Sequence, residues 1–102
     1  MTPLVESQRT RIAALCRSLG VRRLDVFGSA LRDDFDPATS DIDFLVELDH
    51  LSPARYAEAW LTLNAGLQDL LGRPVDLVTI GAIENPYFQQ RVLRTRETLY
   101  AS

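Results

Sequence analysis

The sequence predicts an α+β fold, a mixed three-stranded or slightly larger sheet with helices packed on one face. Three observations carry this reading. Residues 41–48 alternate, with Ile42, Phe44, Val46 and Leu48 apolar on one face and Asp41, Asp43, Leu45 and Glu47 on the other, which is the period of a strand. Residues 53–71 repeat apolar side chains at helical spacing through Tyr56, Trp60, Leu63, Leu67 and Leu70–Leu71. Helical and strand-like segments also alternate along the whole chain, which is the pattern of a sheet covered by helices.

The elements follow in order. Residues 3–19 predict a helix, with Leu4, Ile12, Leu15 and Leu19 near helical spacing and Gly20 as its stop. Residues 21–27 predict a strand with Leu24 and Val26 on one face, broken by Gly28-Ser29. Ala30-Leu31-Arg32 reads as a short helical turn. Residues 33–40 are polar, contain Pro37 and read as a loop. The strand at 41–48 comes next. Ser52 and Pro53 suit the cap and first turn of the helix at 53–71, and Gly72 its stop. Residues 74–80 predict a third strand. Residues 86–100 predict a last helix with Phe88, Val92, Leu93 and Leu99 facing the core.

The 102 residues fit one domain, residues 1–102. A chain this short buries only roughly two-thirds of its unfolded surface, so a substrate cleft must be open or completed by a partner. The net charge of −3 argues against general nucleic-acid binding, which needs a basic face. Cys16 is the single cysteine, so no disulfide forms within the chain. A reducing cytoplasm is the simplest location. No apolar run approaches the roughly 18 residues of a membrane span, and no signal-peptide pattern opens the chain.

The chemistry gathers at three places. Gly28 lets the backbone approach a ligand closely, and the free N–H groups of the turn after it favour an anion. Ser29 adds a hydroxyl donor, and Arg32 is placed to steady a phosphate or to bridge to Asp33, Asp34 or Asp36. The turn is no Walker A motif, because the Lys-Ser/Thr pair is missing. Asp41 and Asp43 stand two apart on a strand and share a face. Bringing two carboxylates together is unfavourable without a cation, and magnesium prefers carboxylates plus phosphate oxygens. Asp76 interrupts the apolar run Val75 to Val78. Burial there requires a partner, either a metal shared with Asp41 and Asp43 or an arginine such as Arg73. Three carboxylates beside an anion-receiving turn suit in-line nucleotidyl transfer.

Other sites fare poorly. His50 alone makes no zinc site. Asp34-Phe35-Asp36 lacks the central glycine and closing glutamate of a calcium loop. Trp60 and Tyr56 read as core, and Arg91, Arg94 and Arg96 as a solvated face or a docking surface for an acidic partner.

Phe27-Gly28-Ser29-Ala30-Leu31-Arg32, Ser40-Asp41-Ile42-Asp43-Phe44-Leu45-Val46 and Arg73-Pro74-Val75-Asp76-Leu77-Val78 resemble the minimal nucleotidyltransferases of the DNA polymerase β superfamily. Asn85-Pro86-Tyr87-Phe88 with Leu99-Tyr100 is similar to that family's closing helix. The chain departs from the family in one extra residue between Ser29 and Asp41, and in Arg32-Asp33 where Arg-Gly is common. The resemblance implies transfer of AMP from ATP to a hydroxyl with magnesium, two ions in all. It implies a triphosphate at Gly28 and Ser29, metal at Asp41 and Asp43, and Asp76 completing the site. Stand-alone members often act as antitoxins paired with a HEPN-domain toxin ribonuclease, so the expected acceptor is a tyrosine of such a toxin, in a homo- or hetero-oligomer. The alternatives are an antitoxin that masks its toxin without chemistry, or a transferase on a small molecule or RNA end whose acceptor site lies on another subunit.

Overall fold

The computed structural model describes residues 2–28, 41–49 and 51–102. Thr2 opens the first helix, α1 (Pro3–Ser7), by accepting the Val5 N–H at its hydroxyl, 3.3 Å away. The helix expected over 3–19 is broken at Gln8, and α2 (Arg9–Leu19) continues it to a left-handed Gly20 at φ 73°. Strand β1 (Val21–Phe27) follows, then β2 (Ile42–Leu48). Helix α3 (Pro53–Leu71) runs between the predicted limits, capped by the Ser52 hydroxyl on Arg55 N and closed by Gly72 at φ 66°. Strand β3 (Val75–Val78) is shorter than expected, because Ile80–Ala82 turn as a 3-10 helix.

Beyond Asn85 the structure differs from the expectation of one long helix. Helix α4 (Pro86–Thr95) stops at Arg96, and Glu97–Ala101 form a fourth strand, β4. The sheet order is β3-β2-β1-β4, with β2–β3 parallel and β1 antiparallel to both neighbours. The spacing of Val92 and Leu99 satisfies a helix as well as it does a helix followed by a strand. The sheet decides between them, since without β4 the outer edge of β1 would carry unpaired backbone groups. Leu99 therefore reaches the core from a strand.

One face of the sheet presents Leu24 and Val26 of β1, Ile42, Phe44 and Val46 of β2, and Leu77 of β3 to the principal core. Ile12 and Cys16 of α2 and Leu63, Leu67 and Leu71 of α3 close it, as the alternation in β2 requires. Trp60 packs against this core as expected. The opposite face holds a smaller cluster of Phe27, Leu45 and Val92, so α4 lies on that side. Because α4 joins β3 to β4, it crosses that face from one margin of the sheet to the other. Phe88 and Leu93, expected in the core, are 45% and 41% exposed; only Val92 of α4 is buried.

Asp25 anchors the crossing. It is 1% exposed on β1, and its carboxylate accepts from Arg23 Nε at 2.9 and 3.1 Å and from Arg96 Nη1 at 3.2 Å. Arg23 also donates to the Thr98 hydroxyl of β4, 2.9 Å away. One buried carboxylate thus ties β1 to the end of α4 and to β4. Removing one partner of such a cluster strands the others, at a cost of about 3 kcal/mol. Asp25→Ala is expected to lose about that much in urea unfolding, and Asp25→Asn, which keeps its hydrogen-bonding shape, less.

Candidate functional site

The carboxylates predicted from sequence lie on the sheet face crossed by α4. Asp43 pairs in register with Phe27 on one side and with Asp76 on the other. Register partners point to the same side of a sheet, so Asp43 and Asp76 stand next to each other. Asp41 precedes β2 by one residue and shares the parity of Asp43. Asp43 is half-buried, whereas Asp41 and Asp76 are exposed. The exposure of Asp76 corrects the sequence reading, which supposed a buried charge in need of a partner. β3 is an edge strand, so the Asp76 side chain meets water, and no arginine forms an ion pair with it among the described residues.

Gly28 follows directly on the end of β1 with φ 72°. A Cβ there would collide with the Asp43 carboxylate. The glycine therefore serves two needs, a left-handed turn and room for an acidic side chain against the backbone. The group that approaches Gly28 closely is this chain's own Asp43 carboxylate. Ser29 and Arg32, the other predicted phosphate contacts, and His50 lie outside the described residues.

The donor set of Asp41, Asp43 and Asp76 is all oxygen, which suits a hard divalent cation. Two of the three are neighbours by register, and the third is one pleat away. Among the described residues no three acidic, histidine or cysteine side chains are already gathered tightly enough to hold a metal. A cleft of about 430 Å3 opens elsewhere, lined by Arg23, Asp25, Glu47, Tyr56, Ile80 and Leu93 among others, and none of the three carboxylates lines it. Tyr56, read from sequence as core, lines this cleft instead.

Cys16 takes no part in the site. It is fully buried between α2 and the sheet, and burial pushes its thiol from the usual 9.0 up to about 12. Below pH 9 folded and unfolded chains both keep the proton. Above it the unfolded thiol ionises first, so this group's contribution to stability falls as pH rises toward 12.

Two measurements check these local arguments. Gly28→Ala is expected to lose about 1–2 kcal/mol in chemical unfolding, from the left-handed backbone and the displaced Asp43. At pH 8 iodoacetamide is expected to label Cys16 at least roughly 100-fold more slowly in the native chain than in urea, because the thiolate is the reactive form.

Comparison with known proteins places this geometry. Residues 9–98 match the family model described as "Nucleotidyltransferase domain". Two proteins of Methanocaldococcus jannaschii, "Putative protein adenylyltransferase MJ1217" and "Putative protein adenylyltransferase MJ0128", are 38% and 40% identical to the chain. The matches run over 72 and 76 residues, and each covers 71% of this chain and 69% of the relative. Among solved structures, a "putative minimal nucleotidyltransferase" superimposes with a TM-score of 0.62 at 30% identity, over 91% of this chain and 90% of that one. A toxin-antitoxin structure with AMP-PNP superimposes with a TM-score of 0.63 at 24% identity, over 92% and 73%. The toxin-antitoxin MntA-HepT gives 0.59 at 23%, over 95% and 73%. These last two show likeness of fold.

Proposed function

The chain belongs to the nucleotidyltransferase domain family, and from that premise we propose that it transfers AMP from ATP to a tyrosine hydroxyl of a cognate HEPN-domain toxin, with magnesium held by Asp41, Asp43 and Asp76. The observation that carries the reading is the register of Asp43 with Asp76 beside a glycine whose missing Cβ makes room for the Asp43 carboxylate. The relatives named as protein adenylyltransferases support a protein acceptor, and the toxin-antitoxin neighbours support a toxin as that protein.

In this reading Gly28, with Ser29 and Arg32 beyond it, receives the triphosphate. The acceptor oxygen forms a bond to the α-phosphorus, the bond from that phosphorus to the bridging oxygen breaks, and pyrophosphate leaves with the electron pair. Asp76, exposed at the sheet edge, is placed to meet an incoming hydroxyl, orient it and accept its proton. A carboxylate is by itself a weak base toward a hydroxyl. When bound, magnesium supplies Lewis-acid stabilisation of the phosphate oxygens and acidifies the hydroxyl. In this reading the work of this chain's own side chains is to hold phosphate, metal and hydroxyl together, since proximity lowers the barrier.

The reading is tested by incubating the chain with α-labelled ATP, magnesium and the purified partner. Label is expected on a partner tyrosine, and Asp41→Asn with Asp43→Asn is expected to reduce the rate at least roughly 100-fold while the fold persists. Absence of label with folded protein removes the transferase reading. Neutralisation of the toxin by the double variant would favour masking instead.

A further inference from the structure

We propose that Phe88 is the stacking face for the purine ring of the nucleotide, held in position by Phe27; this rests on the nucleotidyl-transfer reading above. Phe27 is 5% exposed, pairs in register with Asp43 and immediately precedes Gly28. The two rings meet in a T-shaped contact, with centroids 6.4 Å apart and planes at 68°. Phe27 thus binds Phe88 to the strand end that carries both the phosphate turn and a metal-binding carboxylate.

The backbone beneath Phe88 is fixed at both ends of its turn. Asn85 Oδ1 accepts from Tyr87 N at 2.9 Å and from Phe88 N at 3.1 Å. One turn on, Val92 is buried against Phe27 and Leu45. Gln89 between them spends its amide on the carbonyls of Ile80 and Ile83. Yet Phe88 remains 45% exposed. A phenyl ring held on a rigid helix turn with much of its surface in water matches a flat apolar ligand. With triphosphate at Gly28, the residue after Phe27, the flat group nearest this ring is the base of the same nucleotide. Stacking does not read the edge of the base, since every base has a π-face, so the platform is expected to accept adenine and guanine alike.

Calorimetry separates ring binding from phosphate binding. The titrants are AMP-PNP, the guanine analogue GMP-PNP and inorganic tripolyphosphate, each with magnesium. Phe88→Ala is expected to weaken both nucleotides about tenfold and leave tripolyphosphate unchanged. Phe88→Trp is expected to bind the nucleotides at least as well as the wild type. Wild-type affinity for AMP-PNP in Phe88→Ala would overturn the inference, as would a parallel loss of tripolyphosphate, which would mark the ring as mere support for the site. An unchanged nucleotide affinity with a raised KM for the partner would assign the ring to the acceptor and also overturn it. If the wild type binds no AMP-PNP, the preceding reading falls and this one with it; normal binding by Phe88→Ala removes this one alone.

Discussion

Strand β2 must satisfy two solvents at once, and the rest of the architecture follows from that demand. Its Ile42, Phe44 and Val46 are sealed under α2 and α3, while Asp43 on the other side sits half in water. A shift of one residue in register would put the carboxylate in the core and the phenyl ring outside. The pairing is therefore strongly specified, and that specification delivers Asp76 to Asp43 without any contact between their side chains being needed. The placement of the two carboxylates borrows its precision from hydrophobic burial on the reverse of the same strand.

Much of this was legible in the chain. Strand β1 and helix α3 have the limits the sequence predicts, because glycines at 20, 28 and 72 and Ser52-Pro53 punctuate them. The carboxylates of β2 declare their shared face by alternation alone. What failed was whatever needed knowledge of neighbours. Leu99 lies at a spacing that a helix also accepts, and only the open edge of β1 selects a strand. The exposure of Asp76 depends on β3 being marginal in the sheet, which no local pattern reveals. Asp25 shows the reverse error. It lies between Leu24 and Val26, and the reasoning applied to Asp76, that a charge in an apolar strand demands a partner, belonged to this residue. The signal was present and was attached to the wrong aspartate.

The three carboxylates and the cleft are distinct places. The carboxylates cluster where β1 ends and β2 begins, whereas the cleft follows the far half of β2 toward Tyr56 and Arg96. Leu45 and Val92 are packed together on the sheet face crossed by α4. The candidate site is marked by its acidic side chains and by a glycine whose Cβ position is filled by the Asp43 carboxylate, not by a cavity.

Helix α4 is a covalent strap between the two outermost strands. It leaves the sheet at β3, rests Val92 on the middle and returns as β4 on the far border, where Asp25 fastens it. Both borders are thus reached through one connection, residues 79–96, whose core is α4. Because α4 is joined to both outer strands, any displacement of it is carried at once to the strand bearing Asp76 and to the strand paired with β1, two places the sheet itself keeps apart.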